Sequence, residues 1–501
     1  MYKIQRCDQF RFLNFRPLNL FRISSFGFRI LSLSLLVTIA GCIPSEQQEI
    51  ARYRKVLDAH APTTVPVRSS QTPLTLEQAF ALVNQNNELL KQSGEDYLQA
   101  IIAKNNAFAA FLPTVDLSLG YSVSYNDHVI YGYTKGSSST PPVPLSHSTI
   151  SHSKSGTLGT QMNIFNGFRD VAALRQATDV IEQRKAALLD EQATLLLNVT
   201  QSYYLVLESE ESARVLRDSL HFRHEEIRDM QARLKLGNAR PLDLAQAQAD
   251  EATTRASLRQ AQTNAINARS ELAYLIGVPA ITGPLADRYM VPHPLRAEKQ
   301  FETLAQSYRE DLIAARAGVK VAQQGLKQAI GEYFPSVGIN FNYFLFNEPG
   351  SLWTAGLTGH IPIFSAGTIE ADIRTAWSVY RQTGLAESYV RRGVFNDVQT
   401  AYEDLLNDSE QISDLGDSVV AAEKAFDLAD RLYKIGGGSN LDRLTAQDTL
   451  LNAQLALTNA KYAEKIDYLT LLRNSGLLRP DYPKTPVPTT LPATQPSKAL
   501  P

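Results

Sequence analysis

The chain is poor in the residues that build covalent or metal-held frameworks: two Cys, two Trp and four Met in 501 residues. Two cysteines cannot make a disulfide scaffold or a Cys-based zinc site. There is no excess of one charge, with 49 Lys+Arg against 51 Asp+Glu. The basic face a nucleic-acid binder needs is therefore missing, and no nucleic-acid partner is expected. The sequence holds no P-loop, no Gly-x-Ser-x-Gly and no His-Glu-x-x-His, so nothing points to an enzyme or to catalytic residues. Of eight histidines only His221 and His224, beside Glu225, are spaced to share a helix face. With no third His or Cys near them, a solvated helix face explains them better than a metal. No metal and no cofactor is expected beyond a covalent lipid. Proline is absent from 168–240, 242–278 and 363–479, which leaves room for very long helices.

Residues 1–41 read as an export signal. Lys3, Arg6, Arg11, Arg16, Arg22 and Arg29 precede the apolar run Ile30–Ala40, which is too short to span a bilayer. Its end, Ile39-Ala40-Gly41-Cys42, resembles a bacterial lipobox, which is cut before a cysteine that then carries a diacylglyceryl group. Cys42 is the expected lipidation site, and Ile43 after it implies sorting to the outer membrane. Residues 42–73, with Pro44, Pro62, Pro66 and Pro73, read as a polar linker. The Pro-rich tail 479–501 reads as disordered.

The strongest internal signal is a repeat. At an offset of 199 residues, Ile164-Phe165 matches Ile363-Phe364, Tyr203 matches Tyr402, Gly237 matches Gly436, Leu242-Asp243 matches Leu441-Asp442, and Gly277 matches Gly476. Upstream, Leu112-Pro113-Thr114-Val115 matches Phe334-Pro335-Ser336-Val337 at an offset of 222. The offsets differ by 23 residues, which places an insertion in the first copy. Its expected site is an exposed loop over about Tyr131–Ser155, rich in Gly, Ser, Thr and Pro.

Each copy, 74–278 and 301–478, opens with a helical segment, about 75–111 and 301–333. A β-hairpin follows, 114–165 and 336–364. In its first strand Val115, Leu117, Leu119, Tyr121, Val123 and Tyr125 alternate with Asp116, Ser118, Gly120, Ser122 and Ser124. In the second copy Val337, Ile339, Phe341 and Tyr343 alternate with Gly338, Asn340 and Asn342. Strands of about ten residues with one greasy and one polar face suit a tilted membrane-spanning sheet. Each copy ends in a long helical hairpin, one turning at 237–243 and the other at 436–442. A helix over 168–236 would run roughly 100 Å at about 1.5 Å per residue, too long for a globule, and so belongs in a coiled-coil assembly. Gly237 and Gly436 supply the left-handed turn, and Asp243 and Asp442 fall in the first turn of the next helix. Segment 279–300 links the copies. Four lipid-facing strands leave open edges in hydrocarbon, so the sheet must close by oligomerisation.

In this order and spacing the features resemble the TolC-type outer-membrane efflux protein family, over about residues 74–478. Carrying the resemblance are the duplication, the Leu-Pro-x-Val strand entry, the exit Pro362-Ile-Phe-Ser-Ala-Gly367 and the glycine-plus-Leu-Asp tips. It implies an α+β membrane protein: a homotrimer whose twelve-stranded transmembrane β-barrel, four strands per chain, continues into a long α-helical coiled-coil barrel. It also implies a passive exit duct of a tripartite efflux or type I secretion system. Its partners would be outer-membrane lipid, a periplasmic adaptor and an inner-membrane pump, with a large part of the chain in the periplasm. By the same resemblance Asp243 and Tyr433 would close the periplasmic end and Asp442 would form a constriction. A tip arginine and a second constriction aspartate of the family fall on Gly438 and Thr445. Read from the residues alone, Asp243 and Asp442 are equally well helix caps. Adaptor docking is expected at Gly237, Leu242, Gly436, Gly437, Gly438 and Leu441. The competing reading is a periplasmic coiled-coil adaptor lipoprotein, which would carry lipoyl-like and barrel segments around a single hairpin.

Overall fold

The computed structural model describes residues 46–60, 73–132, 143–237, 239–346 and 352–480. The expected signal segment, Cys42 and the tail beyond residue 480 lie outside them. In chain order the described elements are α1 (Glu46–Leu57), α2 (Leu76–Asn86), α3 (Glu88–Ala109), β1 (Thr114–Gly132), β2 (Val143–Asn166), α4 (Arg169–Lys235) and α5 (Pro241–Ile276). Then follow α6 (Glu298–Tyr308), α7 (Glu310–Gly331), β3 (Ser336–Phe344), β4 (Leu352–His360), α8 (Thr368–Lys434) and α9 (Asn440–Asn474). No described helix is long and apolar enough to cross a membrane.

The two halves of the chain run through the same order of elements, and α4 and α8 are each 67 residues long, about 100 Å of continuous helix. Along its length α4 packs against α3, α5, α7 and α9, while α8 packs against α6, α7 and α9. Buried Ala213, Ala247, Ala261, Ala265 and Ala268 line the seams, because small side chains let helices approach closely. The main core lies where the two halves of the chain meet and gathers Phe80, Val199, Tyr203, Tyr204, Leu272, Phe301, Val398, Leu405, Leu469 and Leu472. There Tyr203 Oη lies 2.7 Å from the Leu74 carbonyl and 2.8 Å from the Ala286 carbonyl. It ties the segments at Leu74 and Ala286 to the helices.

Each helical pair ends in the same lock. Gly277 and Gly476 adopt φ of 73° and 71°. The amides that follow, Val278 and Leu477, bond back to the Ala273 and Leu472 carbonyls at 3.0 and 2.8 Å. This six-to-one bond after a left-handed glycine is the Schellman closure. Gly476 also rests on the chain at Tyr308, where a Cβ would lie 2.4 Å from a backbone carbon.

The hairpins form one antiparallel sheet of order β1-β2-β3-β4. Leu117, Leu158, Tyr343 and Trp353 stand abreast on one face, and Val115, Thr160, Phe341 and Ala355 form the next row. Most of this apolar face is exposed. The other face carries Asp116, Gly159, Asn342 and Thr354 abreast. It lines a cleft of about 540 Å³ with Gln161, Asn163, Asn340 and His360. β1 and β4 are the sheet's two margins, and neither has a second neighbour among the described strands.

Four expectations need correction. Residues 143–155 are strand, not loop: β1 runs 19 residues and β2 runs 24, paired in one unbroken register from Thr114↔Gln161 to Gly132↔Val143. Ser- and Thr-rich composition reports polarity, and a two-stranded ribbon whose backbone groups satisfy each other tolerates it. The segments 75–111 and 301–333 each break once, at Asn87 and at Arg309. Asn87 takes an extended backbone, and its side-chain oxygen accepts from the Leu89 and Leu90 amides, starting a new helix. β4 stops at His360, because Pro362 has no amide to donate to the ladder. The expected linker 42–73 contains α1, whose Tyr53 and Leu57 are buried; the Tyr53 ring lies on Gly94, where no Cβ would fit.

Candidate functional site

The predicted site residues converge at the ends of the long hairpins. In the first hairpin α4 stops at Lys235, and Gly237 turns the chain with φ 73°. Arg240 then caps α5, with Pro241 in the first helical turn. Asp243 is buried, and its carboxylate accepts two bonds from the exposed Arg240 guanidinium, at 3.1 and 2.9 Å. The second hairpin solves the same turn differently. Gly436 adopts φ 76°, and Ser439 and Asp442 form a capping box: Asp442 N–H donates to Ser439 Oγ at 3.1 Å, and Ser439 N–H donates to Asp442 Oδ2 at 3.2 Å. Asp442 is exposed and does what a first-turn aspartate does anywhere. Gly237 and Gly436 have open space where a Cβ would be. Leu236, Leu242, Ile435 and Leu441 are all exposed at these two tips.

The structure brings the two tips into contact through residues the sequence reading did not single out. Arg443 on α9, 5% exposed, bonds to Glu226 of α4 and donates to Asn440 Oδ1 at 3.1 Å. Its guanidinium lies 4.2 Å from the centre of the Tyr433 ring, and Arg233 of α4 stands 5.5 Å from the same ring. Asn440 donates to the backbone carbonyl of Asp243 at 3.4 Å. Three turns of α4 further in, Arg223, 2% exposed, pairs with Asp448 and lies 3.9 Å from Asp250. Burial pushes the Glu226 carboxyl above its ordinary range, while Arg443 and Arg223 pull it back. Asp250 is raised by burial and by the Asp448 charge.

This polar layer is only partly satisfied, since Arg443 Nε, Arg223 Nε and Nη1 and Gln447 Oε1 are buried without a hydrogen bond. Half-satisfied buried polar layers hold a structure less firmly than apolar ones. The predicted Asp243 and Tyr433 therefore sit at one junction. Asp243 is held by Arg240, and Tyr433 is held between two guanidinium groups. A signal for the missed residues was present: Asn440, Arg443, Leu444 and Gln447 have the i, i+3, i+4, i+7 spacing of a buried stripe, with polar residues where apolar ones are usual.

Long paired helices ending in exposed tips are joined to a sheet with one apolar and one polar face. A family model described as outer membrane efflux protein matches residues 82–278 and 303–477. The chain belongs to that family and is an outer-membrane efflux protein of the TolC type, not an enzyme. It is 27% identical over 338 residues to the outer membrane efflux protein BepC of Brucella suis biovar 1, covering 65% of this chain and 73% of that one. To TolC of Escherichia coli it is 23% identical over 430 residues, 80% of this chain and 82% of the relative. The Probable outer membrane lipoprotein SilC of Salmonella typhimurium is 22% identical over 478 residues, 90% of this chain and 99% of SilC. Among solved structures, the Campylobacter jejuni CmeC outer membrane channel shares the fold at a TM-score of 0.71 and 15% identity, over 85% of this chain and 92% of CmeC.

Proposed function

We propose that three copies of this chain close a twelve-stranded transmembrane barrel above a tunnel of long helices. It would serve as the passive exit duct of a tripartite efflux or type I secretion system. The single observation that carries this is the four-stranded sheet, apolar on one face, polar on the other, and open at both β1 and β4. Unpaired edge amides and carbonyls cost several kcal/mol each in hydrocarbon, so the margins must seal against other copies. Known single-chain barrels start at about eight strands, beyond what one copy supplies. The helices need neighbours too. Ile266 and Tyr274 on α5 are exposed, as are Leu385, Tyr389, Val420 and Leu428 on α8. These are the flanks that adjacent copies would cover.

In the assembled duct Asp116, Ser118, Ser122, Asn340 and Asn342 would face water and Leu117, Phe341, Tyr343 and Trp353 would face lipid. Conduction needs no chemical step, so the driving force belongs to an inner-membrane pump reached through a periplasmic adaptor. The exposed Leu242 and Leu441 beside Gly237 and Gly436–Gly438 are the apolar points such an adaptor would grip. Asp243, Tyr433 and Asp442, backed by the Arg443 layer, would govern the periplasmic opening. Cys42 would carry the lipid, a reading supported by Ile39–Cys42 and by the name of SilC.

Extraction of native membranes tests the assembly. The chain should resist carbonate and urea washing, migrate as a heat-modifiable band, and show three chains per particle by native mass spectrometry. A wash-soluble monomer would end this reading. In planar bilayers Asp442→Asn should lower cation preference, and an unchanged reversal potential would remove Asp442 from the constriction.

A further inference from the structure

On the polar face of the four-stranded part of the sheet, every row but two is neutral. Asp116 stands abreast of Gly159, Asn342 and Thr354, and His360 stands abreast of Ser336. Both side chains are exposed, and neither forms a hydrogen bond or an ion pair among the described residues. Asp116 lies on β1 and His360 on β4, the sheet's two open margins.

In a closed barrel β4 of one copy pairs with β1 of the next, and the register between them decides which residues meet. Within one copy Thr114 and Gly356 share a row, and β4 runs four residues further, to His360. If the next copy joined in that same row, Gly356 would face the next Thr114. Residues 357–360 would then lie past the start of the next β1, with no partner for their amides and carbonyls. A slide of four residues brings His360 opposite the next Thr114 and pairs all of β4. A slide of six brings it opposite the next Asp116. Odd slides would set the apolar face against the polar one. Across four strand spacings of about 4.8 Å, slides of four and six tilt the strands by about 35° and about 47°, close to the usual range of about 35–45°. A slide of eight would need about 55°. At both allowed registers Asp116 is opposite His360 or diagonal to it, within side-chain reach. On the lipid face Leu119 would meet Ala355 at one register and Leu357 at the other, so apolar contact does not choose between them.

We propose that His360 of each copy and Asp116 of the next form an acid–base clasp on the lumen side of every seam, a site that exists only in the assembled duct. This rests on the barrel reading above. An imidazole N–H donates to a carboxylate whether the ring is neutral or protonated, and protonation adds the attraction of opposite charges. As the one charged pair on an otherwise neutral face, the clasp ties the two margins at registers that complete β4.

Paired cysteines in the full-length chain, in native membranes, test it. Asp116→Cys with His360→Cys, treated with a short bifunctional methanethiosulfonate, should run as a covalent trimer after boiling without reductant. The two single variants set the background that Cys42 contributes. Asp116→Cys with Thr354→Cys, abreast in one chain but several residues apart along a seam, should run as a monomer on the same gel. Covalent trimers from both pairs, or from neither while the parent chain still forms a heat-modifiable oligomer, overturn the clasp. His360→Asp should lower the temperature at which the oligomer dissociates, and adding Asp116→His should restore it. Cross-linking without that rescue also overturns the clasp. If the parent chain forms no oligomer at all, it is the barrel reading that fails.

Discussion

Arg443 shows how little a residue's neighbours in sequence say about its task. Beside the exposed Asp442 it looks like one more solvated charge, yet it is buried between Glu226 and the Tyr433 ring. Arg443→Ala strands a buried carboxylate, which typically costs about 3–5 kcal/mol. The loss falls at the tips, so amides of residues 226–235 and 430–443 should exchange faster while the central core around Tyr203 keeps its protection. Arg443→Met with Glu226→Leu removes both charges and should restore most of that protection. Asp467 makes a second case. Burial first, then Asp408 and Asp404, push its carboxyl up to about 7, with Asp408 hydrogen-bonded to it. An acid raised on folding binds its proton more tightly in the native state. The stability it contributes is full below about pH 4 and is lost as pH rises through about 7. After correction for the intrinsic pH dependence of amide exchange, protection of the α8–α9 seam near Asp408 and Asp467 should thus be greater at pH 6 than at pH 8, and Asp467→Asn should flatten that difference. Of the site residues, glycines and first-turn aspartates were legible because turn chemistry is local. Arg443, Glu226 and Arg223 were not, because burial of a charge depends on partners some 200 residues away.

At the scale of elements, the break between helix and strand was legible from the change of period, and the long helices from unbroken stretches without proline. What was missed follows from contacts. The kinks at Asn87 and Arg309 fall where the returning helix ends arrive: Asn87 donates to the Leu275 carbonyl at 3.0 Å, and Gly476 rests on Tyr308. Gly476→Ala should accordingly cost several kcal/mol, since its Cβ meets backbone that cannot move. Gly237→Ala has open space around it and should cost only about 1 kcal/mol for its left-handed φ. Thermal melting of the two variants checks the ranking, and equal shifts would contradict it. The β1–β2 extension beyond Gly156 makes no ladder with β3. Replacing 123–152 by Asn-Gly, which suits a two-residue hairpin turn, should leave the heat-modifiable oligomer intact.

For the whole molecule, the sequence by itself determined the repeated order of elements, the strand faces, the hairpin tips and the membership of an export family. These follow from periodicity, glycine and proline, which act through nearest neighbours along the chain. Only the tertiary structure decided that residues 143–155 are ribbon rather than loop, that the two hairpins share one sheet with both margins open, and that the tips are held by buried arginines. Strand pairing and charge burial are decided by segments distant in the chain. A local pattern specifies which face is greasy, but not which partner will lie against it.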